Sequence, residues 1–211
     1  MAGAGPRRAV LTDVGGVLTS DVFAAFRAAS TLVCGDPLLV ERLLRQDEQS
    51  GKLLVEHECG RMPEADFEAG FAARLRAHGV PEVAPGLIAQ IQAGLHLDET
   101  MLGAVRRLRE HGVPVAIVSN ALGDDGYKGI DLAELADVAV ISSEVGVRKP
   151  SRRIYQIACE RLGVEPRDCV LIDDLEQNLR GAARLDIGGI LHRDAATTVR
   201  ELADALGVPL A

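Results

Sequence analysis

The chain has 211 residues, of which 47% are hydrophobic and 26% charged, and its formal net charge is −8. This length fits one well-cored domain with a modest insertion. No apolar run approaches the roughly 18–20 residues of a membrane span. The negative charge argues against general nucleic-acid binding, which relies on basic surfaces.

Neither the start of the chain nor its cysteines indicate secretion. Two arginines precede the first predicted strand without an apolar segment, so we expect no signal peptide. The four cysteines form no CxxC pair, and free thiols in a reducing cytoplasm are the expected state. We therefore predict a cytoplasmic protein with no membrane or nucleic-acid partner, and the sequence does not indicate its oligomeric state.

The predicted elements begin with a buried strand at 9–13 that ends in a Gly-Gly turn. A long helical stretch follows. Asp36-Pro37 is typical of a helix start, and Phe67, Phe71 and Leu75 repeat on one helical face ahead of Gly79. A weaker helix is predicted over 86–97, and no strand is predicted between about 20 and 97.

From residue 98 onward helices and strands alternate. The predicted helices are 99–111, 151–162, 177–185 and 197–206, and the predicted strands are 113–119, 138–141, 169–172 and 189–191. Short apolar strands that alternate with helices predict an α/β fold with a parallel central sheet covered on both faces. We expect a core domain of 1–19 and 98–211, with a helical cap domain at 20–97 inserted after the first strand.

Three polar side chains fall at the ends of predicted strands, where ligands of open parallel sheets bind. They are Asp13, Ser119 and Asp173. A carboxylate at 13 can attack phosphorus or carbon, although an aspartate there can equally stabilise the turn. Ser119 and Asn120 offer a hydroxyl and an amide that can hydrogen-bond phosphoryl oxygens, a weak signal by itself.

Two further features add charge to the same predicted edge. Asp173 and Asp174, together with Asp13, concentrate carboxylates in a way that suits Mg²⁺, although Asp174 could instead cap a helix. Lys149 precedes a proline and a helix start, so it could reach inward as a point charge on phosphate. Most lysines are solvated, and this interpretation depends on the order and spacing of all four segments.

Those four segments resemble the motifs of the haloacid dehalogenase (HAD) superfamily. Within it they look most like the group that contains the amino-terminal phosphatase domain of soluble epoxide hydrolase. The resemblance covers most of the chain and rests on DVGGVL at 13–18, MLGAVRRLREHGVPVAIVSNALGDD at 101–125, SEVGVRKPSRRIY at 143–155 and VLIDDLEQNLRGAARLDIGGIL at 170–191. GRMPEADF at 60–67 also resembles the start of a cap helix in that group.

The resemblance implies a Rossmann-like core and a Mg²⁺-dependent phosphatase that forms an aspartyl-phosphate on Asp13. Its substrate would be a small phosphorylated metabolite admitted under the cap. Asp13 would also be a metal ligand, and Lys149 would neutralise the phosphoryl charge. The remaining implied residues are Ser119, Asn120 and Asn178 for substrate binding, and Asp173, Asp174 and the backbone carbonyl of Gly15 for the metal.

Gly15 departs from the pattern of the family's phosphatases, which carry there an aspartate that protonates the leaving alcohol and later activates water. Three interpretations follow: a phosphatase that favours good leaving groups, a dehalogenase that attacks carbon without Mg²⁺, and a non-catalytic binding protein. A replacement proton donor could be Asp21 or a histidine of the cap. The candidates for substrate specificity are Phe23, Phe26, Arg27, His57 and Glu58.

Overall fold

The computed structural model describes residues 7–127 and 129–210. Within them one sheet has five strands, β1 (Ala9–Thr12), β2 (Val115–Ser119), β3 (Val138–Ile141), β4 (Cys169–Asp173) and β5 (Gly188–Leu191). The strand order is β3-β2-β1-β4-β5, and every neighbouring pair is parallel. The predicted α/β fold with a parallel sheet is thereby confirmed.

Five helices follow β1 before the chain re-enters the core near residue 97, and we call them the helical insertion. They are α1 (Val22–Cys34), α2 (Leu39–Gln46), α3 (Glu48–Glu58), α4 (Glu64–Ala77) and α5 (Leu87–Ala93). Phe67, Phe71 and Leu75 of α4 lie in a hydrophobic cluster of the insertion itself. The predicted periodicity therefore marks a face that packs inside the insertion.

The remaining helices cover the sheet or connect its strands. They are α6 (Glu99–Glu110), α7 (Leu132–Leu135), α8 (Ser142–Val145), α9 (Arg152–Leu162), α10 (Glu176–Ala183) and α11 (Ala195–Leu206), with a 3₁₀ turn at Pro166–Asp168. α6 and α11 contribute to one hydrophobic cluster, and α9 and α10 contribute to the other. Val10 and Leu11 of β1 belong to different clusters because successive strand residues face opposite sides. The strands therefore read as continuous apolar runs.

Several predicted boundaries differ from the structure by a few residues, and three of them bear on the path of the chain. The helix expected at Asp36-Pro37 begins at Leu39, because the Asp36 carboxylate accepts a hydrogen bond from Leu38 N and closes a turn first. The strand expected from 113 begins at Val115. The helix expected over 86–97 ends at Ala93, and Leu97 then forms an antiparallel bridge with Thr19. The chain thus pairs with itself where it leaves and re-enters the core.

Among the described residues, no single helix is long and apolar enough to cross a membrane. α1 and α2 together reach the required length and hydropathy, but they meet at a bend of 107°.

Candidate active site

Asp13, Ser119 and Asp173 lie at the carboxyl ends of three adjacent strands. β1 pairs with β2 on one side and with β4 on the other, so the central strand delivers Asp13 between the other two side chains. All three residues are buried. The sheet topology therefore brings together residues that are more than 50 positions apart in the chain, at the edge where such folds bind ligands.

Lys149 joins this edge as a buried cation. Its ammonium Nζ lies 2.7 Å from Asp13 Oδ2 and 2.8 Å from Asp173 Oδ2, and the lysine is 1% exposed. Burial alone would lower the pKa of Lys149, but the charges of Asp13 and Asp173 more than offset this and raise it. The side chain is therefore an ammonium ion shared by two carboxylates, which a buried charge requires.

Hydrogen bonds fix the orientation of both carboxylates. Asp13 Oδ1 accepts from Val14 N at 2.8 Å. Asp173 Oδ1 accepts from Leu175 N at 2.9 Å and from Asn178 Nδ2 at 2.8 Å. Each carboxylate thus uses one oxygen to hold its position and presents the other to Lys149.

The Asn120 amide contacts the backbone of Lys149. Its Oδ1 accepts from Lys149 N at 2.8 Å, and its Nδ2 donates to Lys149 O at 3.3 Å. This two-point contact places the lysine at the end of the sheet. Asn120 therefore positions Lys149, while the neighbouring Ser119 hydroxyl belongs to the cavity wall.

Asp174 completes a cluster of three carboxylates. One oxygen from each of Asp13, Asp173 and Asp174 lies within 4.8 Å of the others. Burial, only partly offset by Lys149 and reinforced by Asp173, raises the pKa of Asp13 to about 6. Burial and the charges of Asp13 and Asp173 raise the pKa of Asp174 to about 7. One ammonium does not balance three carboxylates, and this oxygen-rich set fits a hard divalent cation such as Mg²⁺.

The Gly-Gly turn after Asp13 has a steric basis. Gly16 has φ +73°, and a Cβ atom there would lie 2.6 Å from Asp174 Oδ2. A Cβ atom at Gly15 would lie 3.0 Å from Cγ2 of Val22, the first residue of α1. The backbone can therefore approach Asp174 closely because Gly16 lacks a side chain, whereas Gly15 faces Val22 of the insertion.

A cavity of about 1420 Å³ opens over these groups. Its wall includes most of the predicted site residues, namely Asp13, Gly15, Ser119, Asn120, Lys149, Asp174 and Asn178. Asp173 is fully buried and contacts Lys149. The insertion supplies an apolar part of the wall that contains Phe23 and Phe26. The cavity thus combines a charged floor with an apolar wall.

Three of the residues considered as specificity or proton-donor candidates, Asp21, Arg27 and His57, do not belong to the cavity wall. Asp21 accepts from Phe23 N at 2.8 Å as the N-cap of α1, and its other oxygen lies 3.3 Å from Arg27. The His57 ring contacts Met62 O through Nδ1 and Gly123 N through Nε2, each at 2.9 Å. Glu58, in contrast, is both buried and part of the cavity wall.

Tyr127 and Arg148 also line the cavity, and the sequence did not single them out as site residues. The Tyr127 hydroxyl is buried and has no hydrogen-bond partner among the described residues. Burial raises the pKa of Tyr127, so the group stays an O–H donor beside Ser119. Arg148 Nε lies 2.7 Å from Glu58 Oε2. Neither residue directly follows a predicted strand, which was the pattern that identified the other site residues. The sequence signal for Arg148 is that it directly precedes Lys149.

Curated relatives match parts of this chain. Bifunctional epoxide hydrolase 2 of Rattus norvegicus is 31% identical over 128 residues, which are 57% of this chain and 23% of that protein. Glyceraldehyde 3-phosphate phosphatase of Methanopyrus kandleri is 32% identical over 88 residues, covering 40% and 38%. (S)-2-haloacid dehalogenase 4A of Burkholderia cepacia is 33% identical over 85 residues, covering 38% and 36%. The chain thus matches well under half the length of each of these relatives.

A solved structure supports the fold. A HAD family enzyme of Bacteroides thetaiotaomicron, in complex with magnesium and inorganic phosphate, superposes with a TM-score of 0.64 at 20% identity, covering 89% of this chain and 94% of that one. The family model described as haloacid dehalogenase-like hydrolase matches residues 7–186, which contain all the clustered carboxylates and Lys149. The chain therefore belongs to the haloacid dehalogenase-like hydrolases.

Proposed function

We propose that this protein is a Mg²⁺-dependent phosphatase in which Asp13 attacks a phosphate monoester. The observation that carries the proposal is the Lys149 ammonium shared by Asp13 and Asp173 beside a third carboxylate. Such a site places a nucleophile next to a fixed positive charge. It also has more carboxylates than the lysine can neutralise, and these could bind a metal ion. The named glyceraldehyde 3-phosphate phosphatase among the relatives supports the same reaction class.

In the first step an Asp13 oxygen attacks phosphorus, and the bond from phosphorus to the leaving oxygen breaks. Lys149 and the Ser119 hydroxyl face the phosphoryl oxygens and offset their charge. A water molecule then attacks the aspartyl-phosphate, which releases inorganic phosphate and restores Asp13. Lys149 also keeps Asp13 ionised in its buried position, which a nucleophile requires.

The residues that would hold magnesium are Asp13, Asp173, Asp174 and the backbone carbonyl of Gly15, with Asp174 more suited to direct contact. When bound, the ion supplies positive charge that polarises the phosphoryl group and lets an anionic ester approach three carboxylates. Asn178 supports this set by holding Asp173.

The helical insertion would act as a cap domain, with 1–19 and 98–211 as the core domain. Phe23, Phe26 and Glu58 come from the insertion and face the same cavity as Asp13. The cavity exceeds the roughly 300–1,000 Å³ of typical small-molecule sites, so a phosphorylated metabolite with a sizeable body fits. With the acidic surface and unpaired cysteines, we propose a cytoplasmic enzyme whose partner is that metabolite.

Phosphate release from p-nitrophenyl phosphate tests the proposal. We expect turnover with Mg²⁺, loss in EDTA, and loss in Asp13→Asn, while Asp125→Asn serves as a control because Asp125 is an exposed acid on the cavity rim. Turnover that survives EDTA or Asp13→Asn contradicts the proposal. Phosphate esters that raise the melting temperature without release of phosphate would instead identify a binding protein.

Dehalogenation is a second candidate, favoured by Gly15 and by the match to the haloacid dehalogenase. Attack of Asp13 on carbon expels a halide ion, and a halide leaves without a proton. The third carboxylate, Asp174, has no task in that reaction. Chloride release from 2-chloropropionate in the presence of EDTA would establish it, and we expect none.

A further inference from the structure

The helical insertion contributes one buried carboxyl group to the cavity wall, Glu58 at the end of α3. Other glutamates of the insertion also reach this wall, but they are more exposed than Glu58 and each pairs with a basic residue of the insertion. Glu41 is 23% exposed and pairs with Arg45. Glu48 is 82% exposed and pairs with Lys52, and Glu56 is 44% exposed and pairs with Arg61. Only 11% of the Glu58 side chain is exposed. The Glu58 carboxyl group therefore faces the cavity and not bulk solvent.

Core residues hold the backbone around Glu58. The Ser142 hydroxyl donates to the Glu58 carbonyl oxygen. Gly123 N donates to His57 Nε2 at 2.9 Å, so Nδ1 carries the ring proton and donates to Met62 O. A Cβ atom at Gly60 would lie 2.3 Å from Ser143 O, so the loop approaches the core closely. The backbone that carries Glu58 is thus held against the core.

The charges around Glu58 set its protonation. Burial raises the pKa of Glu58 to about 7, while Arg148 and Lys149 lower it and Asp13 raises it further. The neutral Tyr127 hydroxyl is a further titratable neighbour, because burial and, to a smaller extent, the charge of Glu58 raise the pKa of Tyr127. Both forms of the carboxyl group are therefore populated near neutral pH, as a group that gives and then takes a proton requires.

We propose that Glu58 is the general acid and base of the hydrolysis, in place of the side chain that Gly15 lacks. The inference rests on the proposed phosphatase function. As Asp13 forms its bond to phosphorus, the bond to the leaving oxygen breaks with its electron pair, and that oxygen takes the Glu58 proton. The Glu58 carboxylate then takes a proton from the water that attacks the aspartyl-phosphate. Inorganic phosphate leaves, Asp13 is restored, and Glu58 is protonated again.

Glu58→Gln tests the inference with two substrates of similar size. For benzyl phosphate, whose alkoxide is a poor leaving group, we expect turnover to fall by about 10²–10⁴-fold. For p-nitrophenyl phosphate we expect a burst of one nitrophenolate per protein, followed by slow release, because only the water step still needs the base. Glu56→Gln, on the same helix and cavity wall, is the matched control.

Glu58→Gln leaves Arg148 without its partner, so Glu58→Gln/Arg148→Gln provides a second variant should the first fail to fold. Carbon-13 NMR of the Glu58 carboxyl group gives a readout independent of turnover, with titration expected near pH 7. Titration at or below the ordinary glutamate pKa of 4.5 overturns the inference. A folded Glu58→Gln variant that hydrolyses benzyl phosphate at the wild-type rate also overturns the inference. That result would leave the role of Asp13 as nucleophile intact. A wild-type protein that releases no phosphate overturns the phosphatase function, and this inference with it.

Discussion

The Cγ2 methyl group of Val22 occupies the position next to Gly15 that a side chain would enter, because a Cβ atom there would lie only 3.0 Å away. Gly15 belongs to the turn after β1, whereas Val22 begins the helical insertion. The insertion therefore packs against the turn where the family's phosphatases carry an aspartate. The absence of a side chain at Gly15 thus leaves room for the Val22 methyl group.

Gly15→Asp tests this packing in two backgrounds. Alone it should lower the melting temperature, because Val22 has to move, and tight packing of this kind typically costs about 1–3 kcal/mol. Gly15→Asp/Val22→Ala should recover much of that loss and, when combined with Glu58→Gln, restore part of the lost turnover of benzyl phosphate. Val22→Ala alone is the control. Equal melting temperatures for wild type and Gly15→Asp would show that Val22 is no obstacle.

Magnesium should stabilise the folded protein, because it offsets the repulsion among Asp13, Asp173 and Asp174, which Lys149 opposes with a single positive charge. At a hundred times the dissociation constant, binding contributes about 2.7 kcal/mol to the free energy of unfolding. Thermal unfolding with Mg²⁺ and with EDTA measures this difference.

Asp174→Asn should reduce that Mg²⁺-dependent rise in melting temperature. Glu176→Gln is the matched control, since Glu176 lines the same cavity but pairs with Arg180 at the surface. A rise of equal size in Asp174→Asn and wild type would exclude Asp174 as a ligand.

Glu58 should make stability depend on pH. Its pKa rises from 4.5 to about 7 on folding, so the native state binds more protons than the unfolded state within that range. The stability of the wild type relative to Glu58→Gln therefore falls as pH rises from 4.5 through 7, by roughly 3 kcal/mol in total. Urea unfolding at several pH values in EDTA measures it, with Glu56→Gln as the control. A difference that does not change with pH would mean that Glu58 is ionised throughout.

The place of Asp13, Ser119 and Asp173 could be predicted because it follows from one rule about parallel strands. Each residue ends an apolar run, and the carboxyl ends of such runs meet at one edge. The position of Lys149 could not be predicted from strand ends alone, because it depends on the hydrogen bonds between the Asn120 side chain and the Lys149 backbone. Strand pairing thus determines the floor of the cavity.

The wall of the cavity could not be predicted in the same way. Glu58 and Arg148 meet across 90 positions because the helical insertion docks on the core, and no periodic pattern encodes that docking. The hydroxyl of Tyr127 lies in an irregular loop, where sequence patterns do not set side-chain direction. Asp21 was considered as a replacement proton donor, and in the structure its carboxylate caps α1.

Asp47 anchors the start of α3, the helix that ends at Glu58. Its carboxylate accepts from Ser50 N at 2.9 Å as the N-cap, and Arg74 donates to both of its oxygens at 3.0 and 2.8 Å. The hydrogen bonds from Arg74 and Ser50 hold the pKa of Asp47 well below its ordinary value of 3.8. Asp47→Asn should therefore lower the melting temperature at neutral pH.

The sign of the pH dependence follows from that depressed pKa. Stability contributed by the ionised Asp47 is fully present above 3.8 and is lost as pH falls toward the folded-state pKa. The gap in melting temperature between wild type and Asp47→Asn should therefore be constant at neutral pH and shrink in acid. Glu48→Gln, in the first turn of the same helix but 82% exposed, should change the melting temperature little. A gap that widens in acid would mean that the Arg74 contact does not favour the ionised form, and α3 would then need another anchor.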